Sequence, residues 1–211
     1  MNSIVFNSDC VEGMKQFPDK YFDLAVVDPP YGIGEHGGKC RTRKRHKNHV
    51  VHAKKNWDSK RPTKKYFKEL FRVSKNQIIW GGNYFVEHLK PKMGWIYWDK
   101  LIGGDFSDGE LAYTSFERAL KKFTKSIERS RGKFEIQRIH PTQKPIALYD
   151  WLYLNYAEEG MKILDTHLGS GSNRISAHKY KMDFTAFEID KEYFDKQEQR
   201  YRDFISQTVL F

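Results

Sequence analysis

Lys162-Ile163-Leu164-Asp165-Thr166-His167-Leu168-Gly169-Ser170-Gly171-Ser172-Asn173 opens the stretch whose reading decides the fold, and Phe184-Thr185-Ala186-Phe187-Glu188-Ile189-Asp190 closes it. A short apolar run enters a glycine-rich turn, a helix-like stretch follows from Arg174 to Tyr180, and a second apolar run ends in acids. Strand, glycine turn, helix, strand and acid together make one half of a nucleoside-binding α/β unit. The glycines let the backbone approach a ligand, and an acid at the second strand's tip can hold two ribose hydroxyls. Arg174 stands where the third glycine of the dinucleotide fingerprint belongs, and no Gly-Lys-Ser/Thr follows. An adenosine ligand without a pyrophosphate accounts for these facts, which makes S-adenosylmethionine the candidate cofactor.

Outward from this unit, seven runs read as strands: Ile4–Asn7, Phe22–Val27, Gln77–Trp80, Trp95–Trp98, Leu111–Thr114, Ile163–Asp165 and Phe184–Glu188. Helical patterns lie between several of them. Thr63 is placed to cap Lys64–Arg72, Pro145 suits the first turn of a helix carrying Ile146, Leu148, Trp151, Leu152 and Tyr156, and Lys191–Phe204 reads as an amphipathic C-terminal helix. Alternating strands and helices predict a doubly wound α/β sheet, with ligands at the carboxyl ends of its strands.

A second signal lies at the end of the second strand. Asp28-Pro29-Pro30-Tyr31 follows the apolar run Phe22–Val27. Proline cannot extend a central strand, so the chain leaves the sheet there. Neither proline carries an N–H, Asp28 adds an acceptor and Tyr31 adds a flat ring. The turn therefore suits a planar group that donates hydrogen bonds, such as the exocyclic amino group of a nucleobase. The plainer reading is a strand-ending turn with a chance aromatic.

The chain has 211 residues and a formal net charge of +10, and 39% of its residues are hydrophobic. That is enough for one domain with a sizeable core. No apolar run has the length of a membrane span, and Met1-Asn2-Ser3-Ile4 does not begin a signal peptide. Cys10 and Cys40 make no disulfide framework, so a cytoplasmic setting is expected. From Lys39 to Lys68 there are thirteen Lys or Arg against one acid, Asp58, while the remainder is close to neutral. Basicity gathered in one internal segment reads as a phosphate-binding surface, with Arg41, Arg43, Lys44, Arg45, Lys47, Lys54 and Lys55 as its candidate contacts; the plainer reading is a disordered basic tail or a targeting run. His36, Cys40, His46, His49 and His52 fit no recognised ligand spacing, so no metal is expected.

Taken together, these motifs resemble those of the amino-group DNA methyltransferases, which modify adenine N6 or cytosine N4. Asp28-Pro29-Pro30-Tyr31 is similar to the family's catalytic motif, and His140-Pro141-Thr142-Gln143-Lys144-Pro145 to its segment for the methionine end of the cofactor. Asp165 to Gly171, with Glu188, resembles the cofactor loop and ribose-binding acid, and Asn7-Ser8-Asp9-Cys10 the loop beside the cofactor adenine. The catalytic motif comes first, as in the circularly permuted class called beta. The family's loop reads Asp-Pro-Phe-x-Gly-Ser-Gly; here Thr166-His167 stands in place of Pro-Phe.

The resemblance implies a single domain over 1–211 with a Rossmann-like, seven-stranded methyltransferase sheet. A basic DNA-facing insertion is expected at about 32–62 and a variable region at about 103–138. It implies catalytic roles for Asp28, Pro29, Pro30 and Tyr31: Asp28 and the Pro29 carbonyl accept from the target amino group, and Tyr31 stacks on a base turned out of the duplex. It implies cofactor binding by Asp9, Cys10, Thr142, Lys144, Asp165, His167, Gly169, Ser170, Gly171, Ser172, Asn173, Glu188 and Ile189. Within that set Lys144 is expected to pair with the methionine carboxylate. Thr142 is expected to assist it or cap the next helix, and Asp9 to meet the adenine or serve as a turn residue. Apart from the resemblance, the aromatics Trp80, Tyr84, Trp95, Tyr97 and Trp98 read as core sooner than as base-stacking, and of these only Trp80 to Tyr84 are placed to border the pocket.

The expected activity is site-specific adenine-N6 methylation of double-stranded DNA, as in restriction–modification, by a bacterial, phage-borne or mobile-element enzyme for which a homodimer stays open. Asp at the first motif position leans toward adenine. Cytosine-N4 methylation, methylation of RNA or protein, and a non-catalytic nucleic-acid-binding module remain the alternatives.

Overall fold

In a computed structural model the chain is described over residues 1–34, 55–101, 107–126 and 138–208. Its strands are β1 (Ser3–Phe6), β2 (Phe22–Val27), β3 (Ser74–Trp80), β4 (Trp95–Asp99), β5 (Gly109–Thr114), β6 (Lys121–Thr124), β7 (Lys162–Asp165) and β8 (Asp183–Phe187). Its helices are α1 (Cys10–Met14), α2 (Lys64–Val73), α3 (Ile146–Tyr156), α4 (Ser172–Lys179) and α5 (Lys191–Thr208). The strands form one sheet in the order β1-β8-β7-β2-β3-β5-β4-β6. The five from β1 to β3 run parallel, β5 is antiparallel to both β3 and β4, and β6 runs parallel to β4.

Both faces of the parallel part are covered, which is why its strands are apolar without alternation. Leu24 and Val26 of β2 join Ile78, Trp80 and Ile163 under Leu148, Leu152 and Tyr153 of α3 and Ala177 of α4. Ala25 and Val27 join Ile79 and Leu164 on the other face, under Met14 of α1 and Tyr66, Phe67 and Leu70 of α2.

From β2 the chain winds one way to β3, and from β7 it winds the other way to β8. These two strands are parallel neighbours, with Leu24 opposite Ile163 and Ala25 opposite Leu164. Their carboxyl ends flank the point where the strand order reverses, which is where open α/β sheets bind ligands.

Three local expectations change. The sheet has eight strands rather than seven. The added strand, β6, is an edge strand with Phe123 as its only large apolar residue; one side pairs with β4 and little of it is buried, so the hydrophobic pattern carries no signal there. Thr63 stands at the N-cap of α2, but its side chain makes no capping bond. Pro145 occupies the N-cap of α3 rather than its first turn. Among the described residues no helix is long and apolar enough to cross a membrane.

Candidate active site

The turn after β2 carries a compact charged cluster. Asp28 Oδ1 accepts from the Tyr31 hydroxyl at 2.6 Å and Oδ2 from Lys144 Nζ at 2.6 Å. Lys144 precedes α3 and is 4% exposed. Its ammonium also meets Glu110 Oε2 of β5 at 2.9 Å and the Tyr31 oxygen at 3.4 Å. Glu110 Oε1 in turn takes Lys100 Nζ at 2.5 Å.

The cluster alternates in sign as Asp28, Lys144, Glu110, Lys100. Burial pushes the Asp28 carboxyl above its ordinary range; Lys144 works against that push and Glu110 works with it. Burial pushes Glu110 up as well, but Lys144 and Lys100 hold it down at about 2. Burial would lower Lys144, yet its two carboxylates outweigh that and raise it. At neutral pH Lys144 and Glu110 are therefore both charged.

The ring of Tyr31 is fixed from several sides. It stacks on Tyr84 at 5.0 Å and 15°, and Phe85 meets it edge-on at 6.1 Å. Gly81, at φ +68°, lies against the ring so closely that an added Cβ would come within 2.2 Å of it. Beyond Tyr31, Asp58 Oδ1 accepts from the Gly32 N–H at 2.8 Å and the Asp58 carbonyl from the Gly34 N–H at 3.2 Å. The single acid of the basic segment thus fastens the turn after β2.

The second half of the site lies at the tips of β7 and β8. Gly169 and Gly171 take left-handed φ values of +55° and +74°, so the chain turns sharply into α4. Glu188 Oε2 accepts from the Gly169 N–H at 2.8 Å and Oε1 from the Asp190 N–H at 2.8 Å. Each carboxylate oxygen keeps a second lone pair, which fits two ribose hydroxyls. From α5, Arg200 Nη1 braces the turn from behind, donating to the Ser170 carbonyl at 2.7 Å and Ser172 Oγ at 3.0 Å. Arg174, the residue in the third-glycine position, donates to Ser3 Oγ at 2.9 Å and to Gln197 Oε1 at 3.0 Å, tying α4 to β1 and α5.

His167, where the related loop carries Phe, is enclosed. Thr166 Oγ1 lies 2.9 Å from its Nδ1, and Cys10 Sγ lies 3.9 Å from its Nε2. Burial lowers the His167 pKa to about 4, so the ring is neutral, and burial pushes the Cys10 thiol up to about 12. Burial also raises Asp165 to about 7, although Asn173 Nδ2 at 2.8 Å and the His167 N–H at 3.0 Å both donate to it.

Asp28, Tyr31 and Lys144 therefore come together in one cluster, and Cys10, His167, Gly169, Ser170, Gly171 and Glu188 gather around the glycine turn. Several expected residues have other engagements. Lys144 was expected on a ligand carboxylate, but its three N–H groups already face Asp28, Glu110 and Tyr31. Asn173 is engaged inside the protein, donating to Val26 O and Asp165 and accepting from the Tyr153 hydroxyl at 2.5 Å. Ser172 Oγ faces Arg200 and Ser170.

Asp9 caps α1, accepting from Val11 N and Glu12 N, which is its turn-residue reading. Thr142 Oγ1 lies 3.1 Å from His140 Nδ1 and caps no helix. Ile189 is exposed. Lys55, expected on DNA phosphates, is paired with Asp190 at 2.7 Å and Glu192 at 2.8 Å beside the Tyr193 ring. Arg41, Arg43, Lys44, Arg45, Lys47 and Lys54 lie outside the described residues, as do His36, Cys40, His46, His49 and His52.

Trp80 is fully buried in the core, with Lys144 Nζ 5.4 Å from its ring centre, and Tyr84 stacks on Tyr31. Sequence reasoning missed Glu110, Gly81, Asp58 and Arg200. Glu110 was left outside a strand begun at Leu111. The Gly81-Gly82 pair directly after an apolar strand was a signal for a close backbone approach.

Residues 79–199 match the family model described as DNA methylase, N6_N4_Mtase. The type II methyltransferase M.HpaI of Haemophilus parainfluenzae is 23% identical over 243 residues, covering 95% of this chain and 74% of its own length. The crystal structure of an M1.HpyAVI-SAM complex superimposes with a TM-score of 0.62 at 18% identity, covering 95% of this chain and 98% of that one. PvuII DNA methyltransferase, cytosine-N4-specific, gives a TM-score of 0.64 at 14% identity over 95% of this chain and 86% of its own. At these identities the two structures establish a shared fold.

Proposed function

The chain belongs to the N6/N4 DNA methylase family, and from that premise we propose that it methylates adenine N6 in double-stranded DNA, using S-adenosylmethionine. The observation that carries this reading is Asp28, held at the carboxyl end of β2 beside the glycine turn and Glu188 at the ends of β7 and β8. An acceptor for an amino group and a holder for a ribose thus open at one switch point. M1.HpyAVI, a structural neighbour, was solved with SAM.

When bound, S-adenosylmethionine supplies a methyl group on a sulfonium, a carbon ready for displacement. Glu188 and the backbone of Gly169 to Gly171 would hold its nucleoside. Asp28 and the Pro29 carbonyl would accept the two N–H groups of the target amino nitrogen, orienting its lone pair away from them. This is positioning more than strong-base chemistry, since the nitrogen turns acidic only as its new bond forms and then gives one proton to the Asp28 side. Tyr31, braced by Tyr84, would stack on the extruded base, whose unstacking costs about a few kcal/mol. We read residues 1–211 as one domain whose basic segment at 32–62 and variable segment at 103–138 face the duplex.

Cytosine N4 is the second reading, favoured by the likeness to the cytosine-N4-specific PvuII enzyme. Expression in a methylation-deficient host, followed by nucleoside analysis of the host DNA, separates them. N6-methyladenine is expected, and Asp28→Ala should abolish it. N4-methylcytosine alone would replace the first reading by the second, and no modified base with DNA binding intact would favour a binding module.

A further inference from the structure

We propose that Glu110 is a positioning residue for the reaction: it is the alternative acceptor that releases Asp28 to the target amino group. The inference rests on the methyl-transfer reading above. In the structure each Asp28 oxygen already accepts one donor, Oδ1 from the Tyr31 hydroxyl at 2.6 Å and Oδ2 from Lys144 at 2.6 Å. Each keeps a second lone pair, but its negative charge is shared with a strong donor, which weakens the bond a further N–H can make. Both donors also reach one other atom, Glu110 Oε2, at 3.4 Å from the Tyr31 hydroxyl and 2.9 Å from Lys144 Nζ.

A small rotation of the Tyr31 hydroxyl moves its proton from Asp28 to Glu110, and a small shift of Lys144 moves charge the same way. Neither leaves a buried donor unpaired, a loss that costs roughly 1–3 kcal/mol, more for a charge. Lys100, on Glu110 Oε1, keeps Glu110 in place from the outer side.

The charged and titratable groups facing Asp28 are Lys144, Glu110, Tyr31, Tyr66 of α2, Tyr149 of α3 and Asp165 of β7. Glu110 is the only carboxylate among them that bonds both donors. Neutralising it concentrates Lys144 and Tyr31 on Asp28. The carboxylate is then less available, and loss of a nearby negative charge lowers its pKa.

The test uses the full chain, methylation-free genomic DNA and methyl-labelled S-adenosylmethionine in single-turnover assays from pH 5 to 9. Glu110→Gln should slow the transfer step about tenfold, in line with a misplaced reacting group. It should leave cofactor affinity within twofold and move the acid limb of the rate profile to lower pH. Adding Tyr31→Phe to Glu110→Gln should recover part of the rate, because one competitor for Asp28 is gone.

Wild-type rate and acid limb in Glu110→Gln overturn the proposal. So does a slow Glu110→Gln whose acid limb stays in place and whose loss is only deepened by Tyr31→Phe, the pattern of a structural role. If Glu110→Gln does not fold, Glu110→Asp carries the geometric part of the test: it draws the acceptor back from Lys144 and Tyr31 by one methylene while keeping its charge, so transfer should again slow and Tyr31→Phe should again recover part of the rate, and a wild-type rate in Glu110→Asp overturns the proposal. Absence of methylation by the wild-type chain would instead refute the functional reading itself.

Discussion

Gly81→Ala tests whether the turn that carries Asp28 and Tyr31 is as tightly built as its geometry indicates. The added Cβ would lie 2.2, 2.6 and 2.6 Å from three atoms of the Tyr31 ring, and Gly81 sits at φ +68°. Ordinary carbon contacts are about 3.5–4.0 Å, so the ring must retreat by more than about 1 Å. Tyr84 is stacked on it, and its hydroxyl is tied to Asp28 at 2.6 Å. A shift of that size stretches the hydroxyl bond beyond hydrogen-bond range. A hydrogen bond to a charged group is worth about 1.5–3 kcal/mol, and left-handed strain on a residue with a Cβ adds about 1–2 kcal/mol.

Destabilisation of about 2.5–5 kcal/mol should follow, together with at least a tenfold loss of methyl transfer. Gly160→Ala is the control. Its φ is +82° but nothing lies within 4 Å of the added Cβ, so it incurs the backbone strain alone. Urea unfolding of both variants, with single-turnover methylation, measures the difference. Equal destabilisation of the two, with Gly81→Ala methylating at the wild-type rate, would refute the claim that the glycine makes room for Tyr31.

Glu188→Ala should weaken cofactor binding at least tenfold by calorimetry, in the presence of a chelator, because the carboxylate proposed to hold the ribose is lost; unchanged affinity would remove Glu188 from that role. His167→Phe tests the half-buried, neutral imidazole. A histidine pKa of about 4 in the folded state lies below the ordinary 6.5, so its contribution to stability is full above 6.5 and is lost as pH falls through 4. Wild-type stability should therefore fall relative to the variant across that window, by an amount on the order of 3 kcal/mol. Urea unfolding at pH 7 and pH 4.5 checks this, and a difference independent of pH would show that the ring is not held neutral by burial. Neutralising Arg41, Arg43, Lys44 and Arg45 together should flatten the salt dependence of DNA binding, whose slope should be about −4 to −5 if roughly five phosphates are contacted. Unchanged affinity with methylation at different sites would mean that the segment reads bases rather than phosphates.

The elements that bury apolar surface on both sides were legible without coordinates. The runs through Phe22–Val27, Ile78–Trp80, Ile163–Leu164 and Phe184–Phe187 are dense enough in large apolar residues to be central strands and little else. The glycine turn and the acid that follows β8 were legible for a related reason, since left-handed φ values and a strand-tip carboxylate leave direct marks on residue choice. Asp28-Pro29-Pro30-Tyr31 announced itself because prolines end a strand. Edge strand β6 left no mark, because a strand with little burial needs no apolar pattern.

What only the tertiary structure decided is which charges meet. Asp28, Glu110 and Lys144 stand on three separate segments; Asp28 and Lys144 were marked by their motifs, but Glu110 alone reads as an ordinary polar residue before a strand. Parallel pairing of β2 with β7 and β3, and antiparallel pairing of β5 with β3, bring them within 3 Å of one another through Lys144. The same is true of Asp58, which counted only as a lone acid among bases until the chain folded it under Gly32 and Gly34. Local sequence specifies backbone conformation and which surfaces must be buried. The partners of a buried charge depend on strand order and register, which emerge only when distant segments pack.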